Sequence, residues 1–326
     1  VRDTNCIGVS CVMKTYENLV FGGGGVKGSA YAGSLEVLEE LGLYGAVKCI
    51  GGTSTGAITA AVLATGGGSE GLRSTVESSN FHDFIQDGGG VVGEIFRGAQ
   101  HYGIHSGVGF EKILQGYIER FSGNANLTFQ QLFEKSVMQP SVFKNLTIVA
   151  SNLSRQRPET FSASSHPDLP IWQAVRASMS IPLVFEPMRI NNEFYVDGGL
   201  SWNYPVDLFD KTAFDDITGI SSVVRNPSTL GFYLQAHNLM GNNNPLGSSN
   251  YTIDSLKDYA LAIGAFFMDT SNAKHVHPDD GIRTVFVDDL GTSAIDFSAS
   301  KERIEALIES GRKATEEFFK ESVLQP

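Results

Sequence analysis

Cysteine is almost missing from this sequence: Cys6, Cys11 and Cys49 are the only three in 326 residues. Three cysteines make no disulfide framework, so the fold must rest on an apolar core, and a reducing compartment suits it. Cys49 falls in an apolar run and is expected in the core. Cys6 and Cys11 have no histidine or second cysteine pair nearby, so they make poor metal ligands. Basic charge is scarce too. Lys and Arg number 24 against 36 Asp and Glu, a net charge of -12. That balance argues against a nucleic-acid partner and against simple electrostatic capture by anionic lipid. No run reaches the roughly 18 apolar residues that a membrane span needs. Val1 opens the chain without a basic-then-apolar leader, so we expect a processed chain or one that starts inside a longer reading frame. The expectation is a soluble protein, cytoplasmic or delivered as an effector, that meets membranes only peripherally. Sequons at Asn126, Asn145, Asn152 and Asn250 matter only after a glycosylating pathway and are read as chance.

Glycine, by contrast, is plentiful, at 36 residues. It clusters between apolar runs, which points to tight turns and close backbone approaches rather than to disorder. The length is enough to bury a full core. There is no internal repeat and no convincing linker. We therefore expect a loose arm over residues 1–17 and a single domain over 18–326.

Strand and helix patterns alternate from the start. Asn18–Phe21 reads as a short strand running into Gly22-Gly23-Gly24-Gly25-Val26-Lys27-Gly28, and a helix follows from about Ser29 to Leu41. A second apolar run, Ala46–Ile50, stops at Gly51-Gly52 and gives way to a small-residue helix from Ala57 to Ala64. This strand–helix–strand–helix order predicts an α/β fold, three-layer α/β/α, with a mainly parallel central sheet. Residues 66–109 break the rhythm with two Gly-Gly-Gly runs around Phe81, Phe84, Ile85, Ile95 and Phe96, a composition equally suited to a lid or to an irregular connection. Further helices are expected at 109–121, at 129–134 with Thr128 as N-cap, at 171–178, at 251–268 and at 301–319. The last carries Ile304, Leu307, Ile308, Gly311 and Phe318 on one face. Strands are expected at 146–150, 188–190, 193–196, 232–234 and 284–287. Residues 236–250 read as a surface loop.

The chemistry concentrates at two glycine-rich turns. Gly52-Thr53-Ser54-Thr55-Gly56 is a G-x-S-x-G elbow with strand before and helix after. Its turn is too tight for side chains two residues either side of the serine, and the helix that follows aims its positive end where an oxyanion would form. The Gly22–Gly25 run is the natural source of backbone N–H donors. Gly23-x-Gly25-x-x-Gly28 also matches a dinucleotide fingerprint, but no acidic residue ends the second strand to hold a ribose. It is not a P-loop either, because Gly28 follows Lys27.

A serine nucleophile needs a base. His237, His275 and His277 follow in the order a Ser–His–Asp hydrolase uses, yet all three sit in polar, loop-like sequence, and His275-Val276-His277 alone makes no zinc site. Asp197 has the better setting, at a strand end before Gly198-Gly199.

Taken together these residues resemble the patatin-like phospholipase family. Gly23-Gly24-Gly25-Val26-Lys27-Gly28 resembles its oxyanion loop and Gly52–Gly56 its elbow. Ala174–Ser178 through Ile181-Pro182 resembles the segment before its second catalytic residue. Tyr195-Val196-Asp197-Gly198-Gly199, with Asn203-Tyr204-Pro205-Val206, resembles its D-G-G segment. The likeness spans about Asn18 to Asp210. Gly22 stands where some members carry an acidic residue, and Thr55 where many carry alanine.

The resemblance implies a Ser54–Asp197 dyad without histidine and oxyanion donors from Gly23, Gly24 and Gly25. Lys27 and Gly28 would support that loop, with no metal and no cofactor. It implies fatty-acid release from glycerophospholipid or lysophospholipid esters at a membrane surface. Two other readings stand beside it. One is a regulated effector with the same fold, silent until a protein activator binds near 81–110 or 241–250. The other is a general esterase or thioesterase with a Ser–His–Asp triad.

Overall fold

The structure is a computed structural model that describes residues 14–78, 102–215, 220–237 and 277–324, apart from 295 and 297–298, together with 253–254, 259, 262–263 and 266. The loop at 238–250, His275, the apolar segment 81–101 and residues 1–13 lie outside the described residues. So does most of the helix expected at 251–268.

The strands are β1 (Asn18–Phe21), β2 (Cys49–Thr53), β3 (Gly103–His105), β4 (Asn145–Asn152), β5 (Arg157–Phe161), β6 (Leu183–Phe185), β7 (Met188–Ile190), β8 (Glu193–Val196), β9 (Lys211–Asp215), β10 (Ile220–Val224), β11 (Thr229–Gln235) and β12 (Thr284–Asp288). The helices are α1 (Tyr31–Glu40), α2 (Thr55–Ala64), α3 (Gly68–Ser78), α4 (Val108–Ser122), α5 (Phe129–Met138), α6 (Ile171–Ser178) and α7 (Lys301–Leu324). The main sheet runs β12-β11-β1-β2-β4-β8-β7, with β5 on the far edge of β4. From β12 to β4 every pairing is parallel; β8, β7 and β5 are antiparallel. The expected α/β architecture with a mainly parallel sheet is what forms.

One face of the sheet presents Leu19, Phe21, Ile50, Ile148, Phe232 and Val285 to a single apolar core shared with α1, α2, α4, α6 and α7. Across β1, β2, β11 and β12 the other face meets the irregular segment 202–209, where Tyr204 and Val206 pack on Tyr233 and Phe286. Among the described residues, the cover on this part of the sheet is an irregular segment with turns over 206–209.

β2 departs from the expected strand in an instructive way. It starts three residues later, after a 3-10 turn at Tyr44–Ala46, and continues through both glycines to Thr53. Gly51 has no side chain to pack, but Leu208 and Phe209 fill the space over it. Ladders to β1 and β4 on both sides then hold the run in the sheet despite its poor strand propensity. Cys49, at its first position, is half-buried instead of core. The Gly22–Ser29 turn is also more regular than expected: Gly25–Ala30 forms a 3-10 segment leading directly into α1.

Other elements form close to expectation. Thr128 caps α5 in a full capping box with Gln131. Asn191 and Asn192 take the positive φ values (50° and 65°) that a tight β7–β8 hairpin demands. On α7 the buried aromatic is Phe319, with Phe318 only partly covered, because Phe319 turns in to meet Tyr16 edge-to-face. Tyr16 itself is buried and anchors the chain two residues before β1, while Lys14, Thr15 and Glu17 are exposed.

α7 lies directly on α1 through a pair of glycines. A Cβ at Gly311 would overlap the carbonyl oxygen of Ala30, and one at Gly33 would overlap that of Ile308. The Ser34 hydroxyl donates to Gly311 O across the same contact (3.1 Å). Gly311→Val forces the helices apart, and we expect it to cost at least ~2 kcal/mol in urea unfolding; an unchanged midpoint would refute this packing.

Candidate active site

The geometry of β4 brings two distant chain segments to one point. β2 runs along β4 up to the pair Thr53–Val149, while β8 enters the same lane from the other end and stops at the pair Val196–Ser151. The two strands meet head to head opposite Ala150. The next residue of each is Ser54 and Asp197.

Ser54 adopts φ 54°, ψ -125°, the strained turn of an elbow, and is fully buried. Glycine at 52 and 56 is a steric need, since a Cβ at 52 would overlap Gly56 O and one at 56 would overlap the carbonyl oxygens of Phe21 and Gly22. α2 begins at Thr55, so its N-terminus opens beside the serine. The Ser54 N–H donates to Ser178 Oγ (2.8 Å), whose hydroxyl donates on to Val149 O (2.6 Å). The serine Oγ donates to Asp197 Oδ2 at 2.7 Å, with Met179 Sδ 3.5 Å away on another side.

Asp197 is 1% exposed. Its Oδ1 accepts the Gly199 N–H (2.7 Å), and its own N–H donates to Ser180 O (2.9 Å). Burial is the dominant influence on its carboxyl, pushing the pKa up to about 7; the hydrogen bonds from Ser54 and Gly199 only partly offset it. A carboxyl balanced near neutrality can hold or release a proton at physiological pH.

The glycine loop abuts this pair. Gly22 donates to Phe232 O and Gly23 to Asn203 O, both at 3.0 Å, while Asn203 Nδ2 returns a bond to Gly23 O (3.3 Å). Tyr31 Oη donates to Gly22 O (2.8 Å). The expected donor Gly23 therefore has its N–H engaged by the fold. Beyond it, the Val26 N–H donates to Ala294 O (3.0 Å), so the N–H groups of Gly24 and Gly25 lie between two anchored points. Gly25 holds φ +59° against Ala294, and a Cβ at Gly28 would overlap Thr55, so both loop glycines are required by contact. Lys27 is buried and ion-paired to Asp289 (Nζ–Oδ2 2.8 Å).

Ser54 and Asp197 are thus in direct contact, with the Gly23 side of the loop against the serine. No described histidine bonds to Ser54: His237 pairs with Asp288 and His277 contacts Arg225 and Asp279. Sequence reasoning assigned no role to Ser178, Met179, Asn203 or Asp289. Asn203 lay inside a quoted motif, whereas nothing in the local sequence around Asp289 signalled its partner. Among the described residues no group of three or more His, Cys, Asp or Glu is placed to hold a metal ion, and no helix is long and apolar enough to cross a membrane. A groove of about 440 Å³ reaches Val196, the residue before Asp197, and is lined by Leu153, Pro182, Leu183, Phe185 and Phe194.

Comparison with known proteins follows the same outline. A family model described as patatin-like phospholipase matches residues 19–210. The uncharacterized protein R571 of Acanthamoeba polyphaga mimivirus is 26% identical over 305 residues, covering 92% of this chain and 93% of that protein. The probable lipid hydrolase 463L of Invertebrate iridescent virus 6 is 27% identical over 198 residues, 60% of this chain and 63% of its own length. VipD from Legionella pneumophila shares the fold, with a TM-score of 0.59 at 17% identity over 94% of this chain and 67% of that one.

Proposed function

Since the chain belongs to the patatin-like phospholipase family and is a hydrolase of the lipid-acting kind, we propose that it releases fatty acid from glycerophospholipid or lysophospholipid esters through Ser54 and Asp197. The observation that carries this reading is the 2.7 Å Ser54–Asp197 hydrogen bond at a positive-φ elbow beside the glycine loop. Asp197 accepts the serine proton as Oγ attacks the ester carbonyl. The Gly24 and Gly25 N–H groups, reinforced by the start of α2, stabilise the oxyanion. Asp197 then returns the proton to the leaving alcohol, and an acyl-Ser54 remains. Water, deprotonated by Asp197, attacks the acyl carbonyl, and collapse of that intermediate frees the acid and restores the serine. The apolar groove beside Val196 suits the acyl chain.

The test is fatty-acid release from mixed phospholipid vesicles, with and without cell lysate. Release by the protein alone supports a constitutive hydrolase; release only with lysate supports the partner-dependent form. A folded protein silent under both conditions refutes the reading.

The pH profile is a second check. Asp197 acts as base only when ionised, and its pKa lies at about 7. We expect kcat/KM to rise about tenfold per pH unit below that value and to level above it. A flat profile between pH 5 and 7 would remove Asp197 as the base.

A further inference from the structure

We infer that Asp289 is a positioning residue for the oxyanion loop, acting through Lys27 from a part of the chain beyond the family-matched residues. The inference rests on the proposed hydrolysis at Ser54.

Four successive loop residues meet the C-terminal part of the chain. Gly24 packs against Leu234, and Gly25 lies so close to Ala294 O that a side chain cannot fit. The Val26 N–H donates to that same oxygen, and Lys27 reaches Asp289. Asp289 is itself immobilised. Its Oδ1 accepts the N–H groups of His237 and Gly291, both at 2.9 Å, and its N–H donates to Gln235 O (3.0 Å). Its side chain is 3% exposed and that of Lys27 is 11% exposed.

The other side of the loop is held separately, through Gly22 on Phe232 and Gly23 on Asn203. The direction of the Gly24 and Gly25 N–H groups is therefore fixed by two clamps, one of them the Lys27–Asp289 pair. A buried ion pair is a poor device for stability alone, because desolvation offsets most of its attraction. What it supplies is a fixed direction and distance, and an oxyanion donor must be held in place before the reaction begins.

The experiment compares Lys27→Met, Asp289→Asn, the double variant and Lys27→Arg on a water-soluble short-chain phosphatidylcholine. Amide exchange of the Gly22–Gly28 peptide is read in parallel. Each neutralising single variant removes one member of a buried ion pair and keeps the other charge in place, so its melting temperature falls. In both, kcat drops about 10²-fold while KM stays within about threefold. The double variant has no orphaned charge, so its melting temperature recovers, but its kcat remains low. Lys27→Arg keeps the cation and retains kcat within about tenfold. Loop exchange quickens about tenfold in the singles and in the double.

A double variant with wild-type kcat, or losses carried by KM, would overturn the inference. Unchanged loop exchange in Asp289→Asn would overturn it too, and that readout needs no turnover. Absence of hydrolysis by the wild type would instead count against the proposed function and leave the exchange result to decide the positioning role.

Discussion

Ser54→Ala and Asp197→Asn are each expected to lose on the order of 10⁴-fold or more in kcat, comparable with removing a member of a serine-protease triad. Ser54 has no substitute: the Thr53 hydroxyl donates to Trp202 O, and Ser54 is the hydroxyl described against the Asp197 carboxylate. Asp197 has none either: the described contacts of Ser54 Oγ are Asp197 and Met179, and a thioether is no base. Because the two residues act as one unit, the double variant should be no worse than either single. Changing His237, His275 and His277 together should leave turnover within a few-fold. Fatty-acid release by purified variants reads all of this. Loss of turnover in the triple-histidine variant, with Asp197→Asn still active, would exchange the dyad for a Ser–His–Asp triad.

Asp197→Asn should also make the protein more stable, by an amount that depends on pH. Burial raises the folded-state pKa from 3.8 to about 7. The folded chain therefore keeps a proton that the unfolded chain has already released, and stability falls as pH rises through that window. Well above pH 7 the ionised carboxylate costs on the order of 4 kcal/mol relative to acid conditions. Asparagine keeps the shape and can still accept from Gly199, without the charge. The variant should melt several degrees above wild type at pH 8, with the gap closing as pH approaches 4. A gap that is absent at pH 8, or that widens toward acid, would mean the carboxylate is better solvated than its burial indicates. Strain and desolvation at a reactive centre commonly carry such a cost.

The parts of the site that were legible in the sequence are those with a local steric cause. An elbow needs glycine at 52 and 56, a hairpin of Asn191-Asn192 needs residues tolerant of positive φ, and Thr128 with Gln131 announces a helix start. Asp197 was legible from its strand-end setting and from the family resemblance. What escaped notice depends on long-range contact. Gly51 and Gly52 argue against a strand until β1, β4 and Leu208 are in place around them. β5, with Arg157-Pro158-Glu159, shows no apolar alternation because it is an edge that only one neighbour pairs. Asp289 is one acid among several in its segment, and only the folded chain reveals that it meets Lys27.

The head-to-head meeting of β2 and β8 on β4 also governs when the proposed pair can first form. Ser54 and Asp197 are 143 residues apart in the chain, and no local segment contains both. A nascent chain can close the elbow and its helix locally, but Asp197 reaches Ser54 only when β8 docks, a non-local step of the slow kind. Under the proposed chemistry, late closure of this one strand register works as a built-in delay. The ribosome then handles a precursor without the proposed pair, which is complete only with the finished sheet.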